Sequence, residues 1–305
     1  MTELRFRAMG SDCHVIVVGG PAGLAEQAKE RIDELECRWS RFRPDSEISR
    51  LNERAGRPIA VSDETVELLQ RAMDAWRLSG GSFDPTLLGA VIRAGYDRTF
   101  EEIGPGSGRS LLHAGADRIV IEGNVVTIPE GVGFDPGGIG KGLAADMVAV
   151  ATTRAGADGV AINMGGDVRT TGTGPDGGTW TVSIEHPWLD APLARVGLAG
   201  GAIATSTTLR RNWVADGVRR HHLIDPQTGQ PSDTDINLAS VVAAETWAAE
   251  VLAKAVVLRG SAHPFDNLGG TGAQGLAVTD DGRVLSTEGF GAYLGDGRLP
   301  GWISS

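Results

Sequence analysis

Residues 134–142 read FDPGGIGKG, and they join an apolar approach to the start of a helical pattern. Four glycines stand within six positions of this segment. Glycine is typical of places where the backbone adopts a positive φ or comes close to another group. A glycine-rich turn that leads into a helix presents backbone N–H groups and the positive end of the helix dipole, which bind phosphate. The segment, with the positive charge of Lys141, therefore predicts either a phosphate-binding loop or an ordinary glycine-rich connection.

The familiar phosphate-binding motifs do not fit this segment. A P-loop requires a glycine six positions before the lysine and a hydroxyl residue directly after it. Asp135 and Gly142 hold those two places. A dinucleotide-binding fingerprint requires a third glycine three places after the second and an acidic residue ~20 residues further on. Because the third glycine is missing, a phosphate loop here would belong to another class.

Composition places the chain among ordinary globular proteins and excludes several function classes. The chain has 305 residues, of which 41% are hydrophobic and 22% are charged, as is common for globular domains. A net charge of −11 makes a general nucleic-acid binder an unfavourable interpretation. No run of ~20 apolar residues predicts a membrane span, and Cys13 and Cys37 form no metal or disulfide motif. We expect a cytoplasmic protein, because the N-terminal residues lack a secretory signal pattern.

Hydrophobic periodicity predicts an α+β fold. Apolar stripes predict a helix that starts at Pro21 and a second one capped by Ser62. Asp84-Pro85 predicts a further helix cap followed by proline at the first helical position, and residues 40–49 predict a polar turn. Helices are also predicted at 143–155 and 246–259, and strands at 4–18, 118–128, 160–163, 179–185, 240–244 and 276–285. Long hairpins between the helices predict one domain over residues 1–305, with two lobes, mixed or antiparallel sheets and flanking helices.

Several polar residues are candidates for chemistry, and each has a structural alternative. His222 stands in a polar turn, where it is either a general base or a surface histidine. Glu250 and Lys254 lie one helical turn apart, which is also the spacing of an ordinary ion pair. Asp135 and Asp167 adjoin glycines, as turn residues often do.

Six segments together resemble one family. They are AMGS (8–11), SRFRPDSEISRLN (40–52), GSFDPT (81–86), DPGGIGKGLAAD (135–146), NMGGD (163–167) and HLIDPQTG (222–229). Each segment alone is a weak signal, but their order and spacing match as well. The chain thus resembles the FAD:protein FMN transferases of the ApbE type over nearly its whole length.

The resemblance implies an activity and a set of site residues. Members bind FAD and, with Mg²⁺, transfer its FMN half through a phosphoester to a threonine or serine of an acceptor protein, releasing AMP. By position, Met9 and Phe42 would hold the isoalloxazine ring, and His222 would activate the acceptor hydroxyl. Further FAD contacts fall on Ser82, Phe83, Asp84, Asp135, Lys141 and Leu223. The main-chain oxygen of Gly138 and the side chain of Glu250 match metal-ligand positions.

Two positions depart from the family pattern. The family has an aspartate and a threonine as metal ligands on the late helix, where this chain has Glu250 and Lys254. A protonated lysine cannot ligate a metal, so we expect weak magnesium binding, with Lys254 either repelling the cation or taking over part of its role. Ser206-Thr207 replaces a Ser-Gly turn. Two alternatives therefore stay beside the transferase: a hydrolase that splits FAD to FMN and AMP, and a flavin-binding protein without turnover.

Overall fold

The computed structural model describes residues 1–94, 115–210, 212–215, 218–221 and 223–295, so His222 lies outside the described residues. The helices are α1 (Leu24–Trp39), α2 (Glu47–Glu53), α3 (Asp63–Leu78), α4 (Leu88–Arg93), α5 (Gly140–Arg154) and α6 (Thr246–Arg259). The strands are β1 (Thr2–Ala8), β2 (Ser11–Val18), β3 (Ile59–Ala60), β4 (Val120–Glu122), β5 (Val125–Thr127), β6 (Gly159–Met164), β7 (Asp167–Gly172), β8 (Trp180–Glu185), β9 (Pro192–Leu198), β10 (Gly201–Thr207), β11 (Asn212–Ala215), β12 (Val218–His221), β13 (Ile224–Asp225), β14 (Gln230–Pro231), β15 (Ile236–Ala243), β16 (Gln274–Thr279) and β17 (Val284–Ser286). These elements confirm the predicted α+β class.

The chain divides into two compact units. We call one the sheet unit, made of Met1–Asp33, Lys141–Leu209 and Thr234–Ser305. The other is the helical unit, made of Glu34–Gly140 and Arg210–Asp233. Among the described residues, no helix combines the length and the apolar character that crossing a lipid bilayer requires.

The sheet unit is built on one eight-stranded sheet. Its strand order is β1-β2-β6-β7-β10-β15-β16-β17, and each neighbouring pair runs antiparallel. Helix α6 packs against β10 and β15. Small residues, Ala202 and Ala204 of β10 and Ala249 of α6, share a buried cluster, which lets the helix backbone lie close to the strand.

Two tight turns lie beside each other at one end of this sheet. The first joins β1 to β2 through residues 8–11 and the second joins β6 to β7 through residues 164–167. Both central residues of each turn have positive φ, including Met9 at 50°, as in the two-residue hairpin turns that match strand twist. Gly165 donates its N–H to Asp12 O at 3.0 Å. The two turns are therefore fixed to one another.

The helical unit corrects two of the sequence predictions. Residues 47–49 of the expected polar turn belong to α2 (Glu47–Glu53), because the Ser46 side chain accepts the Ser49 N–H and caps a short helix. The expected cap at Asp84-Pro85 is wrong, since α4 begins at Leu88. Asp84 Oδ1 instead accepts the Thr86 N–H at 2.7 Å, which closes a local aspartate turn.

Candidate functional site

The start of the glycine segment is held in the helical unit by one side chain and one backbone bond. The amide of Asn52 bonds both main-chain groups of Phe134, at 2.8 Å to its oxygen and 2.7 Å from its nitrogen. Asp135 donates its N–H to Pro85 O at 2.8 Å. Three of the motif segments, residues 40–52, 81–86 and 135–146, are thereby joined to one another.

Asp135 connects the glycine turn to the predicted flavin residue Phe42. Its Oδ1 accepts the Gly137 N–H at 2.9 Å and caps the 3-10 turn Pro136–Gly138. The same oxygen lies 3.4 Å from Arg41 Nε. The Arg41 guanidinium lies over the Phe42 ring, 4.1 Å from its centroid. Arg41, which the sequence reasoning passed over, therefore positions both predicted residues.

The predicted residues 82–84 occupy a buried turn of the helical unit. Ser82 donates its N–H to Ser79 O at 3.2 Å, and Phe83 donates its N–H to Ser79 Oγ at 3.0 Å. The side chains of Phe83 and Asp84 are buried. The position of residues 82–84 is thus set by the end of α3.

The residues on either side of His222 are anchored to the backbone. Leu223 is buried, and its carbonyl accepts the Ser232 N–H at 2.9 Å. His221 Nδ1 accepts the Leu223 N–H at 3.3 Å, and His221 Nε2 lies 3.0 Å from Ser232 O. An imidazole that bonds a donor at Nδ1 and an acceptor at Nε2 carries its proton on Nε2. The ring of His221 therefore serves this local structure.

In the sheet unit, the remainder of the glycine motif brings α5 against the start of α6. A Cβ atom at Gly142 would lie 2.7 Å from Thr246 O and 2.8 Å from Trp247 Cα, closer than side chains tolerate. Four residues later, Asp146 accepts the Thr246 N–H at 2.9 Å and the Trp247 N–H at 3.0 Å. The side chain of Glu245, the N-cap residue, makes no capping hydrogen bond. Asp146 of α5 therefore caps α6 in its place.

Close approach of the two helices builds a buried cluster of two lysines and two carboxylates. Lys141 Nζ lies 2.6 Å from Glu250 Oε1 and 2.7 Å from Asp167 Oδ2. Lys254 Nζ lies 3.0 Å from the same Glu250 oxygen. Glu250 Oε2 accepts the Gly142 N–H at 2.8 Å. We call Lys141, Asp167, Glu250 and Lys254 the charge cluster.

Burial and mutual attraction shift the pKa values in the charge cluster in different directions. Burial alone would raise the pKa of Glu250, but the Lys141 and Lys254 ammoniums outweigh it and hold this pKa at about 2. Burial raises the pKa of Asp167, against the pull of Lys141. Burial likewise lowers the pKa of Lys254, and Glu250 opposes that shift. The fixed anion of the cluster is therefore Glu250.

The contacts around Glu250 also test the predicted metal site. Glu250 is 1% exposed, and its two oxygens already accept two ammoniums and one backbone N–H. Within the described ranges, no group of three or more His, Cys, Asp or Glu side chains is placed to hold a metal ion. The residues present around Glu250 fit a cluster of ammonium groups and do not fit a divalent cation.

The structure thus joins the predicted residues within each unit and adds partners that sequence reasoning missed. Lys141 meets Glu250 in the sheet unit, and Asp135 connects to Phe42 through Arg41 in the helical unit. Asp167 was a candidate for chemistry with a turn residue as its alternative, and the sequence predicted no partner for it. Its place at the end of the NMGGD segment was the available signal.

With this geometry described, comparison with known proteins identifies the family. The model of the ApbE family matches residues 9–268, and the chain belongs to this family. It is 31% identical over 288 residues to an FAD:protein FMN transferase of Vibrio cholerae, an alignment that covers 88% of this chain and 81% of that protein.

Solved structures are similar over almost the whole chain. The crystal structure of the ApbE protein from Thermotoga maritima has a TM-score of 0.86 and 27% identity, with coverage of 96% of this chain and 98% of that one. The flavin transferase ApbE from Vibrio cholerae has a TM-score of 0.81 and 26% identity, with coverage of 96% and 99%. The similar architecture agrees with the fold class that the sequence predicted.

Proposed function

We propose that this chain binds FAD and transfers its FMN half to a hydroxyl group of an acceptor protein, releasing AMP. The observation that carries the proposal is the family match over residues 9–268. Relatives whose alignments cover 88% and 83% of this chain are named FAD:protein FMN transferase. The segment 135–146, which lies inside it, forms a turn cap, a close helix approach and a cross-helix cap in this chain.

The reaction breaks the phosphoanhydride bond of FAD and forms a phosphoester bond to the acceptor. The hydroxyl oxygen of a threonine or serine attacks the phosphorus on the flavin side of the FAD diphosphate. The bond from that phosphorus to the bridging oxygen breaks, and AMP leaves with the bridging oxygen. His222 takes the hydroxyl proton in this proposal. Such transfers depend on positioning and on neutralising phosphate charge, and less on covalent chemistry by the protein.

The remaining site assignments complete the proposal. Met9 and Phe42 contact the isoalloxazine ring, which an aromatic face and a flexible thioether can cover. The other FAD contacts are Ser82, Phe83, Asp84, Asp135, Lys141 and Leu223. Asp135 and Phe42 share Arg41 as a neighbour, which supports a common role. The magnesium ligands that the resemblance implies, Gly138 and Glu250, are not part of this proposal, because the contacts of Glu250 do not fit a divalent cation. A cytoplasmic location stays a prediction.

The decisive experiment is incubation with FAD and peptides that each carry one threonine or serine. We expect a flavin-bearing peptide by mass spectrometry and an equal amount of AMP. The matched control peptide has valine in place of threonine, which keeps the shape and removes the hydroxyl. Free FMN with unchanged peptide would identify an FAD hydrolase instead. FAD that stays bound and intact would identify a flavin-binding protein.

A further inference from the structure

The charge cluster holds ammonium groups beside Glu250, where a metal site would hold a metal ion. Glu250 and Lys254 lie on one face of α6, one turn apart, and Lys254 Nζ lies 3.0 Å from Glu250 Oε1. Lys141 approaches the same oxygen to 2.6 Å from α5. An ammonium group thus lies beside the one carboxylate that α6 contributes to the cluster.

The acceptor capacity of Glu250 is largely used. A carboxylate oxygen has about two lone-pair directions, and Oε1 already receives two ammoniums while Oε2 receives the Gly142 N–H. The side chain of Glu250 is 1% exposed. Magnesium demands near-ideal octahedral geometry and keeps several of its waters. Binding at this carboxylate would require the departure of at least one ammonium.

Charge balance leads to the same conclusion. With all four groups ionised, the two ammoniums of Lys141 and Lys254 cancel the two carboxylates of Asp167 and Glu250. A divalent cation would add two positive charges beside two ammoniums in a buried place, where repulsion is weakly screened. Removing one ion from such a cluster leaves an uncompensated charge, which is costly.

The lysine content of the chain points to a special use of these ammoniums. Of its 28 lysines and arginines, only three are lysines: Lys29, Lys141 and Lys254. Two of the three therefore meet at one carboxylate. An ammonium is a compact point charge, whereas a guanidinium is a planar fork. A compact charge is the feature that an ammonium shares with a small metal ion.

We propose that Lys254 occupies the cation position on α6, so that this chain binds the FAD diphosphate without Mg²⁺ at Glu250. The part that concerns diphosphate rests on the proposed transferase function. The part that concerns the metal does not, because it follows from the contacts of Glu250 alone. In this chain, the cation beside Glu250 is therefore a lysine side chain.

The test measures metal binding directly, without FAD or acceptor. Isothermal titration of wild type with millimolar Mg²⁺ should give no heat of binding, and the thermal unfolding midpoint should be the same in Mg²⁺ and in EDTA. Lys254→Thr removes an ammonium from Glu250 Oε1 and offers a hydroxyl oxygen, so it should gain Mg²⁺ binding and a midpoint that rises with Mg²⁺. The matched control is Lys29→Thr, since Lys29 also pairs with an acid one turn away, Asp33. It should behave as wild type.

Activity supplies a separate measurement. The rate of FMN transfer by wild type in EDTA should stay within about twofold of the rate in Mg²⁺. The proposal is overturned when wild type binds Mg²⁺ stoichiometrically and Glu250→Gln abolishes that binding. Wild-type titration decides this even if Lys254→Thr fails to fold. Absence of transfer with no Mg²⁺ binding would refute the proposed function and leave the metal inference intact.

Discussion

Gly142 donates its N–H to Glu250 Oε2 at 2.8 Å, and this bond exists because Gly142 has no side chain. A Cβ at this position would lie 2.7 Å from Thr246 O. The residue that allows α5 to approach α6 is therefore also one of the donors that fix the Glu250 carboxylate. Packing of the two helices and geometry of the charge cluster depend on the same glycine.

Substitution of this glycine should consequently be costly. We expect Gly142→Ala to lower the free energy of unfolding by roughly 1–3 kcal/mol, because the added methyl group forces α5 and α6 apart. Chemical unfolding measures the change. The matched control is Gly140→Ala on the same helix, where the nearest contact of a Cβ would be Pro136 Cβ at an ordinary 3.6 Å. Equal stability of the two variants would show that the helices do not meet as described.

Met9 has a φ of 50° in the turn between β1 and β2. The left-handed region is unfavourable for a methionine, whereas asparagine tolerates it. We expect Met9→Asn to raise the free energy of unfolding by about 0.5–1 kcal/mol, because asparagine relieves the backbone strain. We also expect it to weaken FAD binding, since a strained residue at this place indicates a binding role. Unfolding and FAD titration are measured on the same preparation. Unchanged FAD affinity would remove Met9 from the flavin contacts.

The sequence predicts the features of the fold that depend on residues close to one another along the chain. The bounds of α6 were predicted correctly at 246–259, since an apolar segment ends at Gly260. The i,i+4 spacing also offered an ion pair as one of two interpretations of Glu250 and Lys254, and this pair forms at 3.0 Å. Local periodicity and spacing are sufficient for such features.

Other features depend on contacts between distant parts of the chain. Asp146 caps α6 from 100 residues away, and no sequence pattern within either helix predicts this contact. Arg41 is likewise connected to Asp135 by tertiary structure alone. Helix α2 was missed because its seven residues are too few to show a helical apolar stripe. Motifs within single segments predicted the candidate site residues, but they could not predict the partners of those residues.

Lys141 should matter for FAD affinity. We expect Lys141→Ala to weaken FAD binding by roughly 1.5–3 kcal/mol, the size of a lost charge-assisted contact. Calorimetry measures the affinity, with Lys29→Ala as the control because Lys29 lies on α1 beside Asp33. The same variant should also be less stable, since Asp167 and Glu250 lose a shared partner. Equal FAD affinity in folded variant and wild type would exclude Lys141 from the flavin site.

His222 is predicted to act as the base. We expect His222→Asn to keep FAD affinity while the transfer rate falls by ~10²–10⁴, the typical contribution of a positioned general base. His263→Asn is the control, because His263 is an exposed histidine of the sheet unit. Transfer at a near wild-type rate would instead identify His222 as a turn residue.

Glu250 should make stability depend on pH in the acidic range. The lysines hold its pKa at about 2, below the 4.5 of a free glutamate. Below pH 4.5 the unfolded chain therefore takes up this proton more readily than the folded protein does. The stabilising contribution of Glu250 is complete above pH 4.5 and is lost as the pH falls towards 2.

We therefore expect wild type to lose more unfolding free energy than Glu250→Gln between about pH 6 and about pH 3, as measured by urea unfolding. Glu26→Gln on the exposed face of α1 should keep the wild-type loss. Asp167 works in the opposite direction, because burial raises its pKa and its protonation stabilises the folded state on acidification. The Glu250 charge is one cause of the raised Asp167 pKa, so Glu250→Gln weakens this opposing contribution. A smaller loss in Glu250→Gln therefore reports on Glu250 itself. The same loss in all three would mean that Glu250 is not held as an ion by Lys141 and Lys254.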